Sequence, residues 1–208
     1  MSALPVVRPY RPGDHAALYD VCVRTADMGA DARHIYPDPD IVPSVYAGPY
    51  VHLEPDLAFV VDDGGRVVGY IIGTADTAAF VKAYRASWLP PLESRYPAPA
   101  GPPRTPTDTM VATLHNPERM LRPELAGYPA HLHIDLLPAY QRRGHGRRLM
   151  SAFLDALRRK GVPAVHLGMD PANTGARAFY DSLGFHEIPV RKARNVTYLG
   201  RATSGPHR

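Results

Sequence analysis

The chain has 208 residues, enough for one domain with a full core, and 45% of them are hydrophobic, an ordinary globular value. A single cysteine, Cys22, excludes an intramolecular disulfide, and no apolar run approaches the ~18 residues of a membrane span. The net charge of +4 is mild, and much of the excess lies in one window holding Arg142, Arg143, Arg147, Arg148, Arg158, Arg159 and Lys160, which points to a local anionic ligand rather than to a nucleic-acid backbone.

In chain order, "PVVRPY" reads as a first strand. Asp14 is placed to cap a helix running to about Asp27, with Ala17, Leu18, Val21 and Cys22 on one face. Cys22 on that face reads as a core residue. A short helix is expected over residues 39–49. "LAFVVDD" and "RVVGYIIGTAD" flank a "DGGR" turn and read as a hairpin. Residues 77–129 are rich in proline, so regular structure there should be short, with helices expected near 78–86 and 117–125. A loop of that length is usually functional, and it reads as an insertion over the active face rather than a linker. "AHLHIDLL" is a strand. A helix over 145–160 follows, with Leu149, Met150, Phe153, Leu154 and Leu157 at helical spacing and Gly161 and Pro163 as stops. Then come strand "AVHLGM", a helix over 174–183 ended by Gly184, and strands "FHEIPV" and "NVTYLGR". The order describes one α/β domain over residues 1–208 with a mixed sheet of about seven strands. The opening "MSALPVVRPYRPGD" lacks the apolar centre of a leader, and a cytoplasmic location is expected.

The stretch "QRRGHGRRLM" sits where a strand hands over to a helix. A helix beginning at His145 leaves its first N–H groups without intrahelical partners and carries partial positive charge at that end. Glycines at 144 and 146 permit close backbone approach, and the arginines add charge for further phosphates. Together they describe a pyrophosphate site. The nucleoside-triphosphate pattern GxxxxGK[ST] and the dinucleotide pattern GxGxxG are both absent. The structural reading of the same residues is a solvated basic helix start.

"LLPAYQRRGHGRRLM" resembles the acetyl-CoA signature of the GNAT N-acetyltransferase superfamily, with Gln141, Gly144 and Gly146 at its fixed positions. "NTGARAFYDSLGF" resembles that superfamily's second motif, through Asn173, Ala176, Phe179, Tyr180 and the "LGF" that follows. The resemblance implies a GNAT fold: a bulged strand before the turn, and two central strands that splay apart to take the pantetheine arm of acetyl-CoA. Backbone groups of Leu136 and Leu137 would pair with the pantetheine amides. The amides of Arg142, Arg143, Gly144, His145, Gly146 and Arg147 would hold the pyrophosphate, and Asn173 and Tyr180 would lie near the thioester. "RPYRPGDHAALYDVC", "GYIIGTADTAAFVKAYRASWLPPLESRYP" and "YPAHLHIDLLP" are similar to the acetyltransferase-like C-terminal domain of animal O-GlcNAcases. In that domain the cofactor turn is degraded; here it is intact, which points to a stand-alone bacterial relative able to bind acetyl-CoA. No glycoside hydrolase domain is expected within these 208 residues.

Acetyl transfer to an amine needs a neutral nucleophile, a stabilised carbonyl oxygen and a proton for the leaving thiolate. Tyr180, at the family's tyrosine position, is the candidate acid; its structural alternative is a packing aromatic. The alternation of "HLHIDLL" puts His131, His133 and Asp135 on one strand face. Asp135 is open to three readings: proton acceptor, recognition of a cationic amine, or a buried aspartate that shapes the strand. His133 is expected to line the same cleft. Asp76 with Trp88 could hold an amine-bearing or sugar-like acceptor, or Trp88 could anchor the insertion. His131 and His133 alone make a thin zinc site, so no metal is expected. The expected function is acetyl-CoA-dependent acetylation of a small-molecule or peptide amine, without nucleic acid or membrane. The alternative is a non-catalytic module that binds acetyl-CoA or recognises a partner.

Overall fold

The computed structural model describes residues 4–193 and 195–204. Seven strands form one sheet: β1 (Val6–Pro9), β2 (Phe59–Asp63), β3 (Arg66–Thr74), β4 (Ala130–Leu136), β5 (Ala164–Met169), β6 (His186–Ile188) and β7 (Thr197–Ala202). Their order is β1-β2-β3-β4-β5-β7-β6. Only β4 and β5 are parallel; the other neighbours are antiparallel. The β2–β3 hairpin turns through Gly64 and Gly65, at φ of 61° and 93°, a backbone that glycine adopts at little cost because it has no Cβ. β3 is buried at every position after Arg66, because both of its faces are covered.

Helix α6 (His145–Arg159) covers one face. Leu149, Phe153, Leu154 and Leu157 are buried on it, and the Phe153 ring fills the space that a side chain at Gly73 would need. Gly73 pairs with Leu132, so Leu132 shares that face. By alternation His131, His133 and Asp135 point to the other face. That face is covered by α1 (His15–Val23) and α3 (Gly48–Leu53), and Tyr46 of α2 (Ile41–Tyr46) reaches it at His133.

The β4–β5 pair is the feature that positions the site. Against β3, β4 keeps an unbroken register from His131 to Leu136, so the expected bulge does not appear on that side. Against β5 it pairs only at Ala130↔Val165 and His131↔His166. Beyond those two pairs the strands separate, and Gly168 near the far end of β5 is exposed. The splay implied by the two motifs is present.

Three expected helices differ in extent. α1 stops at Val23 rather than near Asp27: the Thr25 hydroxyl donates to Val21 O at 2.8 Å in place of the helical amide bond, the Thr25 amide bonds Cys22 O, and left-handed backbone follows at Met28 and Gly29. Asp14 makes no side-chain cap bond to that helix. Its carboxylate accepts from the Arg8 guanidinium at 2.7 and 2.8 Å and from the Arg11 amide at 2.7 Å. The helix expected over 39–49 is two helices, α2 and α3, broken at Ala47.

The insertion is more ordered than its prolines imply. It holds α4 (Thr77–Ala83), which runs into a wide turn over Tyr84–Trp88, and α5 (Pro106–Leu114). The sequence reading missed α5. Thr105 and Asp108 cap its start reciprocally, and Pro106 occupies the first helical position, where a missing N–H costs nothing. Over 117–125 there are two single 3₁₀ turns in place of a helix. Tyr84 Oη donates to Leu114 O at 3.1 Å, and Arg85 pairs with Glu118 at 2.6 Å. The insertion is thereby folded onto the α3 side of the sheet.

Candidate functional site

Helix α6 begins without a side-chain cap: Gly144, at φ 80°, occupies the capping position. Arg142 is also left-handed, at φ 56°. Left-handed residues at a loop-to-helix junction turn successive N–H groups inward, the arrangement that binds anions. The turn is braced from outside. Gln141 Nε2 donates to Leu136 O at 2.9 Å, and Tyr140 Oη donates to Asp63 Oδ2 at 2.6 Å. Leu137 N reaches Val68 O at 3.0 Å, so this backbone amide is spent on the sheet rather than free for a ligand. Arg148 donates to His145 Nδ1 at 2.8 Å, and the buried His145 has its pKa lowered by burial and then by that cation. It therefore stays neutral and adds no charge to the turn. Arg142, Arg143 and Arg147 are exposed around it. Gly146 has a different reason for being glycine. It is buried, and a Cβ there would lie 3.2 Å from the Phe179 ring. Its small size lets α7 (Thr174–Asp181) pack against the start of α6.

Asn173 caps α7, its Oδ1 accepting from the Ala176 amide at 2.9 Å. The side chain is committed to aiming the helix that carries Phe179 and Tyr180. The Tyr180 ring lies between Phe179 and Phe185, at centroid distances of 5.3 and 5.5 Å. Among the described residues its hydroxyl makes no hydrogen bond. Burial and then the Asp135 charge push its pKa up, so the group is protonated at neutral pH. Asp135 is part exposed, with Oδ2 accepting from Tyr70 Oη at 2.7 Å. Burial raises its pKa, against the Tyr70 hydrogen bond that lowers it. Cys22 belongs to this cluster, its thiol pushed up to about 12 by burial, as expected of an inert core cysteine.

His131 and His133 meet at one hydroxyl. Tyr50 Oη lies 2.8 Å from His131 Nε2 and 3.0 Å from His133 Nε2. Burial lowers both imidazole pKa values, that of His133 from 6.5 to about 4. A histidine held neutral in the folded state stabilises the fold above its ordinary pKa. That stability is lost as pH falls, because the unfolded chain takes up the proton first. Urea titrations should therefore show stability falling from pH 6.5 towards pH 4. The His133 contribution should be about 2–3 kcal/mol at pH 4.5, and His133→Gln should flatten that part of the profile.

Asp76 and Trp88 hold structural positions. Asp76 Oδ1 caps α4, accepting from the amides of Ala78 and Ala79 at 2.8 and 3.0 Å. Trp88 Nε1 donates to Ser44 O at 2.9 Å, and its ring lies against Gly48 and His52. The indole thus anchors the insertion. Asp76→Ala should cost about 1 kcal/mol of stability, as loss of a helix cap does, and leave turnover unchanged. A fall in turnover at equal stability would return Asp76 to the site. Sequence reasoning missed Tyr50 and Tyr70, whose partners are distant in sequence. The one available signal was their place in otherwise apolar stretches.

Among the described residues no group of three or more His, Cys, Asp or Glu is arranged to hold a metal, and no helix is long and apolar enough to cross a membrane.

Residues 110–185 match the family described as "Acetyltransferase (GNAT) family". The crystal structure of SsHAT is 62% identical in sequence, covers 97% of this chain and 99% of its own, and superposes with a TM-score of 0.94. Protein O-GlcNAcase of Rattus norvegicus is 26% identical over 205 residues, which are 97% of this chain but only 22% of that protein. The ribosomal protein bS18-alanine N-acetyltransferase of Escherichia coli (strain K12) is 41% identical over 64 residues, 31% of this chain and 43% of the relative. With the splayed β4–β5 pair, the uncapped glycine turn and both motifs in place, the chain belongs to the GNAT acetyltransferase superfamily.

Proposed function

We propose that the protein transfers acetyl from acetyl-CoA directly to an amine of a small molecule or peptide. The observation that carries this reading is the continuity of three features. The gap beyond His131↔His166 leads towards the uncapped start of α6, and the Tyr180 hydroxyl, which makes no hydrogen bond among the described residues, is near enough to Asp135 to feel its charge. In this reading the pantetheine arm lies in the gap and the pyrophosphate sits on the α6 N–H groups and arginines. The amine nitrogen attacks the thioester carbonyl carbon. As the tetrahedral intermediate collapses, the C–S bond breaks and Tyr180 gives its proton to the thiolate. The amine loses one proton to the cleft, where Asp135 and His133 are the available acceptors. Asn173 positions α7, and Ala176 and Phe179 hold it against the turn.

Calorimetric titration with acetyl-CoA, beside free CoA, tests the cofactor site. The expected result is saturable binding with a negative heat-capacity change, followed by amine-dependent CoA release. Absence of binding at millimolar acetyl-CoA would end this reading. Binding without release for any amine would support a non-catalytic module, the form suggested by similarity to part of an O-GlcNAcase.

A further inference from the structure

The polar groups on the α3 side of the sheet leave one way to place their protons. Thr77 Oγ1 lies 2.8 Å from the carbonyl oxygen of Pro129 and 2.8 Å from His131 Nδ1. Two oxygens at that distance need a proton between them, and a carbonyl has none to give. The Thr77 hydroxyl therefore donates to Pro129. Its one proton is then used, so His131 Nδ1–H supplies the second contact. This leaves His131 Nε2 as an acceptor, and Tyr50 Oη donates to it across 2.8 Å. The Met120 sulfur, 3.9 Å from the same hydroxyl, is the weaker acceptor. With its proton committed, the Tyr50 oxygen can only accept from His133 across 3.0 Å. His133 must carry its proton on Nε2, and Nδ1 keeps a lone pair. Among the described residues no group hydrogen-bonds to this nitrogen, and His133 is part exposed.

The position of His133 gives that lone pair a use. It is the first residue of β4 on this face beyond the last pair with β5, at the point where the gap opens. The Tyr46 ring meets it edge-on at 5.7 Å, and the Arg119 guanidinium lies 5.7 Å from the Tyr46 ring. We propose that Tyr50 is a positioning residue of the acceptor site: by fixing the His133 tautomer it presents Nδ1 to accept a hydrogen bond from an N–H of the incoming amine. The inference rests on the acetyltransferase reading above. Burial and the Arg119 charge keep the imidazole neutral, with its pKa near 4. The same cation disfavours an ammonium and favours the neutral, nucleophilic amine beside it.

The test is a long-range proton–nitrogen correlation spectrum of the full chain labelled with ¹⁵N-histidine, using n-butylamine as the probe amine in the presence of CoA. At pH 7 we expect His133 as the Nε2–H tautomer and His131 as the Nδ1–H tautomer. The amine should move the His133 Nδ1 signal and leave that of His166 in place. Tyr50→Phe should turn His133 into a mixture of tautomers and raise KM for the amine about tenfold, with acetyl-CoA affinity unchanged. Thr77→Val, at the far end of the chain of contacts, should disturb the same signals if Tyr50→Phe does not fold. An Nδ1–H tautomer at His133, or an Nδ1 signal indifferent to the amine, overturns the proposal. The free-protein spectrum requires neither cofactor binding nor turnover, so failure of the acetyltransferase reading is seen separately, as absence of acetyl-CoA binding.

Discussion

Gly144→Val should bind acetyl-CoA at least ~100-fold more weakly than the parent in calorimetric titration, a loss of about 2.7 kcal/mol. Gly144 has φ 80°, and no atom lies within 4 Å of where its Cβ would stand. The effect is therefore one of backbone conformation and not of collision. Left-handed backbone costs an ordinary residue about 1–2 kcal/mol, and a β-branched residue more. The turn can relieve that strain only by rotating the N–H groups that open α6 away from a common point. Because the residue is exposed and makes no core contact, the melting temperature should fall by only a few degrees. Gly144→Asn is the informative control. Asparagine tolerates left-handed backbone, so it should stay within about tenfold of the parent affinity. Parental binding by the valine variant would place the pyrophosphate elsewhere.

Tyr180→Phe should lower kcat by about 100-fold, the lower range of effects seen on removing a general acid, and leave the acetyl-CoA Kd unchanged. The ring contacts with Phe179 and Phe185 do not involve the hydroxyl, so the melting temperature should not move. Stopped-flow CoA release at saturating cofactor measures the chemical step. Unchanged turnover would leave Tyr180 as a packing aromatic. Asp135 answers to a different experiment. Its raised pKa means the fold prefers the neutral acid, so stability falls as pH rises from the ordinary carboxylate pKa towards the raised one. Asp135→Asn removes that cost. If it is more stable at neutral pH yet slower in turnover, the carboxylate is kept for chemistry; equal turnover would make it a strand-shaping residue.

The legible parts of this protein are those encoded locally. The turn before α6 and the motif on α7 could be read because glycine, arginine and capping requirements act over a few residues. The splay of β4 from β5 came with the resemblance, since nothing in "HLHIDLL" or "AVHLGM" states that they share only two pairs. The insertion misled in both directions. Its prolines concealed α5, where Pro106 starts a helix instead of breaking one, and suggested a helix over 117–125 where two 3₁₀ turns occur. Asp76 and Trp88 show a related limit: the sequence offers a carboxylate near an indole, while the bonds that hold each in place, to the start of α4 and to Ser44 O, are set by the fold. Tyr50 was out of reach, since it meets His131 across 81 positions of chain and His133 across 83. Tyr70 reaches Asp135 across 65. Contacts of that separation are decided by topology.

The short pairing of β4 with β5 has a mechanical consequence. The sheet is two panels, β1-β2-β3-β4 and β5-β7-β6, stitched by two residue pairs. Helix α6, with Phe153 and Leu157 buried on it, packs on the first panel. Such a joint can flex without breaking either panel, and a molecule wedged into it acts as the rivet. Protection from hydrogen exchange should then rise on both sides of the seam when ligand is added, at amides that never touch it.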